Sequence, residues 1–282
     1  MLNKKERRVS LVFLVYLICF AFRILEYFVL RTDQTFWGEA FVHKLIGIFI
    51  LFITIKKCDL KPSEVGFRKQ KVLPNLLIGL AFGMAIFILA YSVEILILIS
   101  QGNFDTLNLY VSAYSAQGNI GNQTAYVFFL ICIVGNIINV IMEEGIFRGA
   151  FQRLLEGNYS FITSAIIVSA LFGLWHLMSP LRSYLDGTMS IGGFIANAIL
   201  LISTSALVGF KFSMMTKLTG NLYMAMGDHF VNNTINNMLH VVSNTGADEL
   251  MVVRISIAQS VSFTVVLIWY IIAQYKNKAV QK

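Results

Sequence analysis

Three polar signatures interrupt otherwise lipid-compatible stretches of this chain: Glu143-Glu144-x-x-x-Arg148, Phe172-x-x-x-His176 and His229-x-x-x-Asn233. An ionisable side chain at bilayer depth costs about 2.5–3.5 kcal/mol on insertion scales, so it marks function unless a structural partner accounts for it. Here two carboxylates, two imidazoles, one amide and one guanidinium fall on three segments. Those groups suit acid–base chemistry at a peptide bond. A carboxylate or imidazole can take a proton from water, and N–H donors can meet the charge that develops on the carbonyl oxygen.

Such groups need a scaffold that carries them into lipid. With 57% hydrophobic and only 13% charged residues, the composition lies far from that of a soluble domain. A span takes about 20 mostly apolar residues. That rule yields eight segments: Ser10–Leu30, Ala40–Ile55, Leu73–Ser100, Thr124–Phe147, Phe161–Met178, Ser190–Phe210, Leu218–Met238 and Val253–Tyr275. The expected fold class is all-α, a polytopic membrane bundle of about eight helices with a polar cavity open to the cytoplasm. The chain reads as one domain: three N-terminal helices (1–100), a core at about 124–240 that carries the signatures, and a final helix at 253–275.

Lysine and arginine set the expected orientation. They gather at Lys4, Lys5, Arg7 and Arg8, at Lys56, Lys57, Lys61, Arg68, Lys69 and Lys71, at Arg148 and Arg153, at Lys211 and Lys217, and at Lys276, Lys278 and Lys282. The connections Gln101–Gln123 and Val241–Met251 have none, and Ser179–Ser190 has only Arg182. Eight spans alternate consistently on this pattern, which puts both termini in the cytoplasm of a multi-pass cell-membrane protein. The net charge of +7 then reflects topology and contact with anionic lipid, with no nucleic acid as partner. The first segment lacks a small-residue cleavage site and is expected to stay as a helix. Cys19, Cys58 and Cys132 suggest neither a disulfide framework nor a thiolate metal site.

Depth tests whether the signatures can meet. Glu143 lies ten residues before Arg153, His176 fifteen after Phe161, and His229 twelve after Lys217. At about 1.5 Å per residue these put the three at roughly 15, 22 and 18 Å from the cytoplasmic edge. The first figure lets the fourth helix run on through Glu156 to Gly157-Asn158. Four-residue spacing gives Glu144 and Arg148 a shared face, as it does Phe172 with His176 and His229 with Asn233. Glu143 and Glu144 point about 100° apart and need not share a task. Pairing with Arg148 gives Glu144 a structural role and leaves Glu143 to face the cavity.

Glu-Glu-x-x-x-Arg, Phe-x-x-x-His and His-x-x-x-Asn, in this order on successive helices, resemble the CPBP family of intramembrane proteases, which includes CAAX proteases and bacteriocin-processing enzymes and is also called Abi. The resemblance covers about Tyr126 to Asn237. It implies that Glu143 activates the attacking water with help from His176, while His229 and Asn233 stabilise the oxyanion. Glu144 and Arg148 would hold the site together, with Phe172 packed behind it. Family members are described both as metalloproteases and as glutamate enzymes without a metal, so zinc stays possible. Glu143, His176 and His229 are its candidate ligands, although the spacing is not His-Glu-x-x-His.

The implied function is an intramembrane endopeptidase acting on a peptide or membrane-protein tail that enters from the cytoplasm. The alternative is the same fold without turnover, as an immunity, scaffold or regulatory protein. A transporter is a third reading, against which the paired broken segments of many carriers are missing. Substrate candidates are secreted peptide precursors, signal-peptide remnants and membrane regulators.

Other intramembrane polar groups have structural expectations. His43 and His240 should be satisfied core histidines, and Arg23 with Glu26 and Glu39 with Lys44 should be internal ion pairs or interface anchors. Glu94 reads as solitary, with no cation nearby, and as a candidate to line the cavity. The asparagines around Asn232, Asn233, Asn236 and Asn237 should bond between helices.

Overall fold

In lipid an apolar stretch satisfies its backbone by coiling on itself, and here each one does. The computed structural model describes residues 4–112 and 122–280, apart from the side chains of 4, 5 and 277–280. The lysine side chains at 4, 5, 278 and 282, and positions 113–121 of the 101–123 connection, lie outside the described residues. The elements are α1 (Lys4–Leu25) running into a π-helical turn (Glu26–Leu30), α2 (Val42–Lys57), α3 (Val72–Ser100), β1 (Phe104–Leu109) and α4 (Tyr126–Glu143). A π-helical stretch, Glu144–Phe151, joins α4 to α5 (Gln152–Glu156). Then come α6 (Phe161–Trp175), α7 (Met178–Leu185), α8 (Ile191–Thr219), α9 (Tyr223–Met238), β2 (Leu239–Ser243) and α10 (Met251–Val280).

Among the described residues six helical stretches are long and apolar enough to cross a membrane: Glu6–Gln34, Val72–Ser100, Tyr126–Glu156, Phe161–Leu185, Ile191–Thr219 and Met251–Lys276. The 16-residue α2 and α9 correspond to the other two expected segments. The fold is an all-α polytopic membrane bundle, and the chain is a multi-pass membrane protein.

Close backbone approach holds the helices together, as lipid offers little other drive. A Cβ on Gly227 would sit 2.6 Å from the Leu76 carbonyl oxygen, and one on Gly173 would sit 2.5 Å from that of Ile202. The first contact seats α9 on α3 and the second seats α6 on α8. Gly79 packs beside Met224 and Gly83 beside Val231, and further along Tyr91 donates to Leu239 O. α3 and α9 therefore run parallel, and the chain segments leaving them lie together. They pair as antiparallel strands, with Leu107 opposite Val241 and Asn108 opposite His240.

Four expectations need correction. α8 does not stop at Phe210 but continues to Thr219, so Lys211 is a membrane-depth residue, not a loop cation. It is 1% exposed and pairs with Asp228 at 2.7 Å. The next helix begins at Tyr223 after a left-handed Gly220 with φ of 70°. A turn thus interrupts the count from Lys217 that placed His229 at depth. Glu94 is not solitary: Arg254 donates to it at 2.6 Å from the final helix, and both side chains are fully buried. Arg23 and Glu26 meet through His43, Arg23 Nη1 lying 3.1 Å from His43 Nε2 and Glu26 Oε2 lying 2.5 Å from His43 Nδ1. Glu39 and Lys44 do pair, at 3.3 Å.

Candidate active site

The first signature straddles a change of helix type. Glu143 closes α4 and Glu144 opens the π-helical stretch, every residue of which is buried. Wider π-helical turns are uncommon and often mark functional positions. Neighbouring glutamates here reach different partners. Trp175 Nε1 donates to Glu143 Oε1 at 3.0 Å. Arg148 Nη1 donates to Glu144 Oε1 at 3.2 Å.

The Arg148 guanidinium has no exposed surface, and its surroundings are built to receive it. Its Nε donates to Gly209 O at 3.3 Å, and its Cζ lies 4.0 Å from the Phe172 ring centre and 5.3 Å from that of Phe212. A Cβ on Gly209 would come within 2.7 Å of Arg148 Nη2. The glycine therefore makes room for a buried cation that aromatic faces and one carboxylate compensate.

His229 stands between the two glutamates. Its Nδ1 lies 2.9 Å from Glu144 Oε1, and its Nε2 lies 3.5 Å from Glu143 Oε2. Phe212 stacks on the imidazole at a centroid distance of 4.9 Å and Phe172 meets it edge-on at 6.2 Å. A carboxylate accepts, so Nδ1 carries the proton. The second nitrogen is then a lone pair in the neutral ring and a donor only in the imidazolium.

His176 is placed differently from the expectation of one continuous helix. α6 ends at Trp175 and His176 is its C-cap. Its Nδ1 donates to Phe172 O at 2.8 Å, using a last-turn carbonyl that has lost its helical partner. That bond leaves Nε2 as an acceptor. Phe172 itself lies edge-on to His176 at 4.8 Å. His176 and His229 are both within coulombic reach of Glu143.

Glu143, Glu144, Arg148, Phe172, His176 and His229 thus converge. Asn233 lies one turn beyond His229 on α9 and is half-buried. Its Oδ1 accepts from Asn232 Nδ2 at 3.0 Å, which leaves its amide N–H groups as the available donors.

Zinc does not fit this arrangement. Among the described residues no group of three His, Cys, Asp or Glu is placed to hold a metal ion.

This geometry is held within one contiguous part of the chain. Residues 125–235 match the family of Rce1-like type II CAAX prenyl endopeptidases. The match is consistent with the CPBP resemblance, and it supports a protease at the general level. The Rce1-like stretch contains all seven candidate residues and excludes α1, α2, α3 and α10. No curated protein matches the chain.

Two buried groups beside the site escaped the sequence reading. Asp228 adjoins His229 and is 2% exposed, and Lys211 anchors it while donating to Gln259 and Ser262 of α10. An aspartate inside an apolar helix was itself the signal. Trp175 gave no signal, because an indole reads as one more apolar residue until its N–H is seen to meet a carboxylate.

Proposed function

We propose that this protein is an intramembrane endopeptidase in which Glu143 is the general base. The observation that carries the reading is the state of its carboxylate. Glu143 is 3% exposed, its Oε1 is tied to Trp175, and its Oε2 has no hydrogen-bond partner. A buried carboxylate oxygen left free beside two imidazoles is suited to take a proton.

Glu143 Oε2 accepts a proton from water as the water oxygen attacks the scissile carbonyl carbon, with His176 Nε2 as a second acceptor for the water. The developing oxyanion receives hydrogen bonds from Asn233 Nδ2 and, in its imidazolium form, from His229 Nε2. Glu143 then passes the proton to the departing amine as the C–N bond breaks. Glu144 and Arg148 hold His229 in place. The substrate is a peptide or membrane-protein tail entering from the cytoplasmic side, with both termini of the protein on that side. The whole chain acts as one transmembrane domain.

The test compares peptides and new protein N-termini from cells carrying the wild-type chain with those from cells carrying Glu143→Ala at matched membrane abundance. Fragments present only with wild type support proteolysis and name a substrate. Identical profiles, with any cellular phenotype retained by Glu143→Ala, replace the enzyme with a binding or immunity protein.

A further inference from the structure

The indole that holds Glu143 is itself packed by residues from outside the Rce1-like stretch. Glu143 Oε1 accepts the buried Trp175 indole N–H, and the other face of that contact leads to the N-terminal helices. Arg23 Cζ of α1 lies 4.6 Å from the Trp175 ring centre. The guanidinium cannot drift, because Nη2 donates to Tyr27 Oη at 3.1 Å and Nη1 meets His43 Nε2 at 3.1 Å. His43 gives its Nδ1 proton to Glu26, so its Nε2 is free to accept from Arg23.

Glu26 also accepts from the Thr32 hydroxyl and from the Val42 and His43 backbone N–H groups at 2.9 and 2.6 Å, which fixes the first turn of α2. The chain of contacts runs from the start of α2 through Glu26, His43, Arg23 and Trp175 to Glu143. Tyr16, Phe20, His43 and Phe147 surround the indole with centroid separations of 5.8–6.3 Å. Its ring therefore has one seat.

We propose that Trp175 and Arg23 are positioning residues for Glu143. The indole N–H fixes the carboxylate rotamer so that Oε2 is presented to the water, and Arg23 on the indole face fixes the indole and places a positive charge behind the carboxylate. The proposal rests on Glu143 being the general base. A buried indole N–H always needs an acceptor. What distinguishes this one is that the acceptor is a carboxylate whose second oxygen lies 3.5 Å from His229 Nε2 without a hydrogen-bond partner, and not a backbone carbonyl.

The chain has three tryptophans, so Trp37→Phe with Trp269→Phe leaves Trp175 as the sole indole in the full-length protein. Excitation moves electron density away from the pyrrole end, so a carboxylate beside Nε1 red-shifts emission. In this background, reconstituted in lipid vesicles, Glu143→Gln is expected to shift Trp175 emission to the blue. Unchanged emission overturns the contact.

The second arm measures the fragments that wild type releases and Glu143→Ala does not. Trp175→Phe keeps the ring and removes the N–H, and it is expected to lower their release about 10–100-fold at unchanged membrane abundance, the scale of a small misplacement of a reacting group. Arg23→Gln, which keeps a hydrogen-bonding head towards His43, is expected to lower it as well. Wild-type release from Trp175→Phe, where Glu143→Ala releases nothing, overturns the positioning role and leaves the base intact. If Glu143→Ala releases every fragment that wild type does, the base itself is removed. If Trp175→Phe does not accumulate, the emission shift and Arg23→Gln decide.

Discussion

His229 donates from Nδ1 to Glu144 Oε1 at 2.9 Å across 85 residues of chain. The same carboxylate oxygen accepts from Arg148, so one buried anion holds both a cation and an imidazole. This separates the adjacent glutamates by task. Glu144 meets Nδ1 of His229 and Glu143 faces the other imidazole nitrogen at 3.5 Å, and in the proposed mechanism the first orients the ring while the second acts as base.

Glu143→Ala is expected to abolish cleavage while the protein still inserts and accumulates. Glu144→Ala and Arg148→Ala each strand a buried charge, which costs about 3–5 kcal/mol. Folded protein should fall with both, measured by size-exclusion recovery in detergent. Equal recovery of all three variants would remove the division of labour.

Asn233→Ala should lower turnover by about 100–1,000-fold with little change in folded yield, the usual effect of losing one oxyanion donor. Initial rates on the fragment-generating substrate measure it. A normal rate would return Asn233 to packing between α9 and α10, where Asn232 already accepts from Gln259 at 2.7 Å.

Gly209→Ala should lower the midpoint of thermal unfolding. The new methyl would meet Arg148 Nη2 at 2.7 Å and Phe172 Cδ1 at 3.1 Å, and overpacking of this kind costs about 1–3 kcal/mol. Gly192→Ala is the control, since nothing lies within 4 Å of its Cβ position. Equal midpoints would mean that the Arg148 seat relaxes freely.

Lys211→Met should destabilise by leaving Asp228 buried and unpaired, and adding Asp228→Leu should restore part of the loss. The pair joins α8 to α9 at 2.7 Å. A double-mutant cycle on thermal midpoints checks it, and additive losses would show that the two charges are not coupled.

Asp248, outside the spans, gives a pH dependence. Burial opposes its ionisation, but hydrogen bonds from His240 and Arg254 outweigh that and hold its carboxyl below the ordinary 3.8. A carboxyl lowered in the folded state contributes stability that is complete above its ordinary value and is lost as pH falls through the folded value. Wild type should therefore lose its advantage over Asp248→Asn on acidification below about pH 4. Parallel stability profiles from neutral to acid pH would contradict this.

Sequence alone determined the membrane class, the all-α fold and the three signatures, because hydropathy over a span-length window and the rarity of charge in lipid are local properties. It also identified the pairing of Glu144 with Arg148, since four residues along a helix is a fixed distance. Only the tertiary structure decided what lies further apart. Glu94 found Arg254 160 positions away, and Lys211 became a buried ion-pair partner when α8 outran its apolar stretch. His176 became a helix cap, and Trp175 turned from packing into the donor that holds Glu143. Each depends on which helices touch, and that is set by small residues such as Gly79, Gly173 and Gly227 allowing particular backbones to meet. Hydropathy cannot report such contacts, since lipid and a neighbouring helix offer an apolar residue nearly the same surroundings.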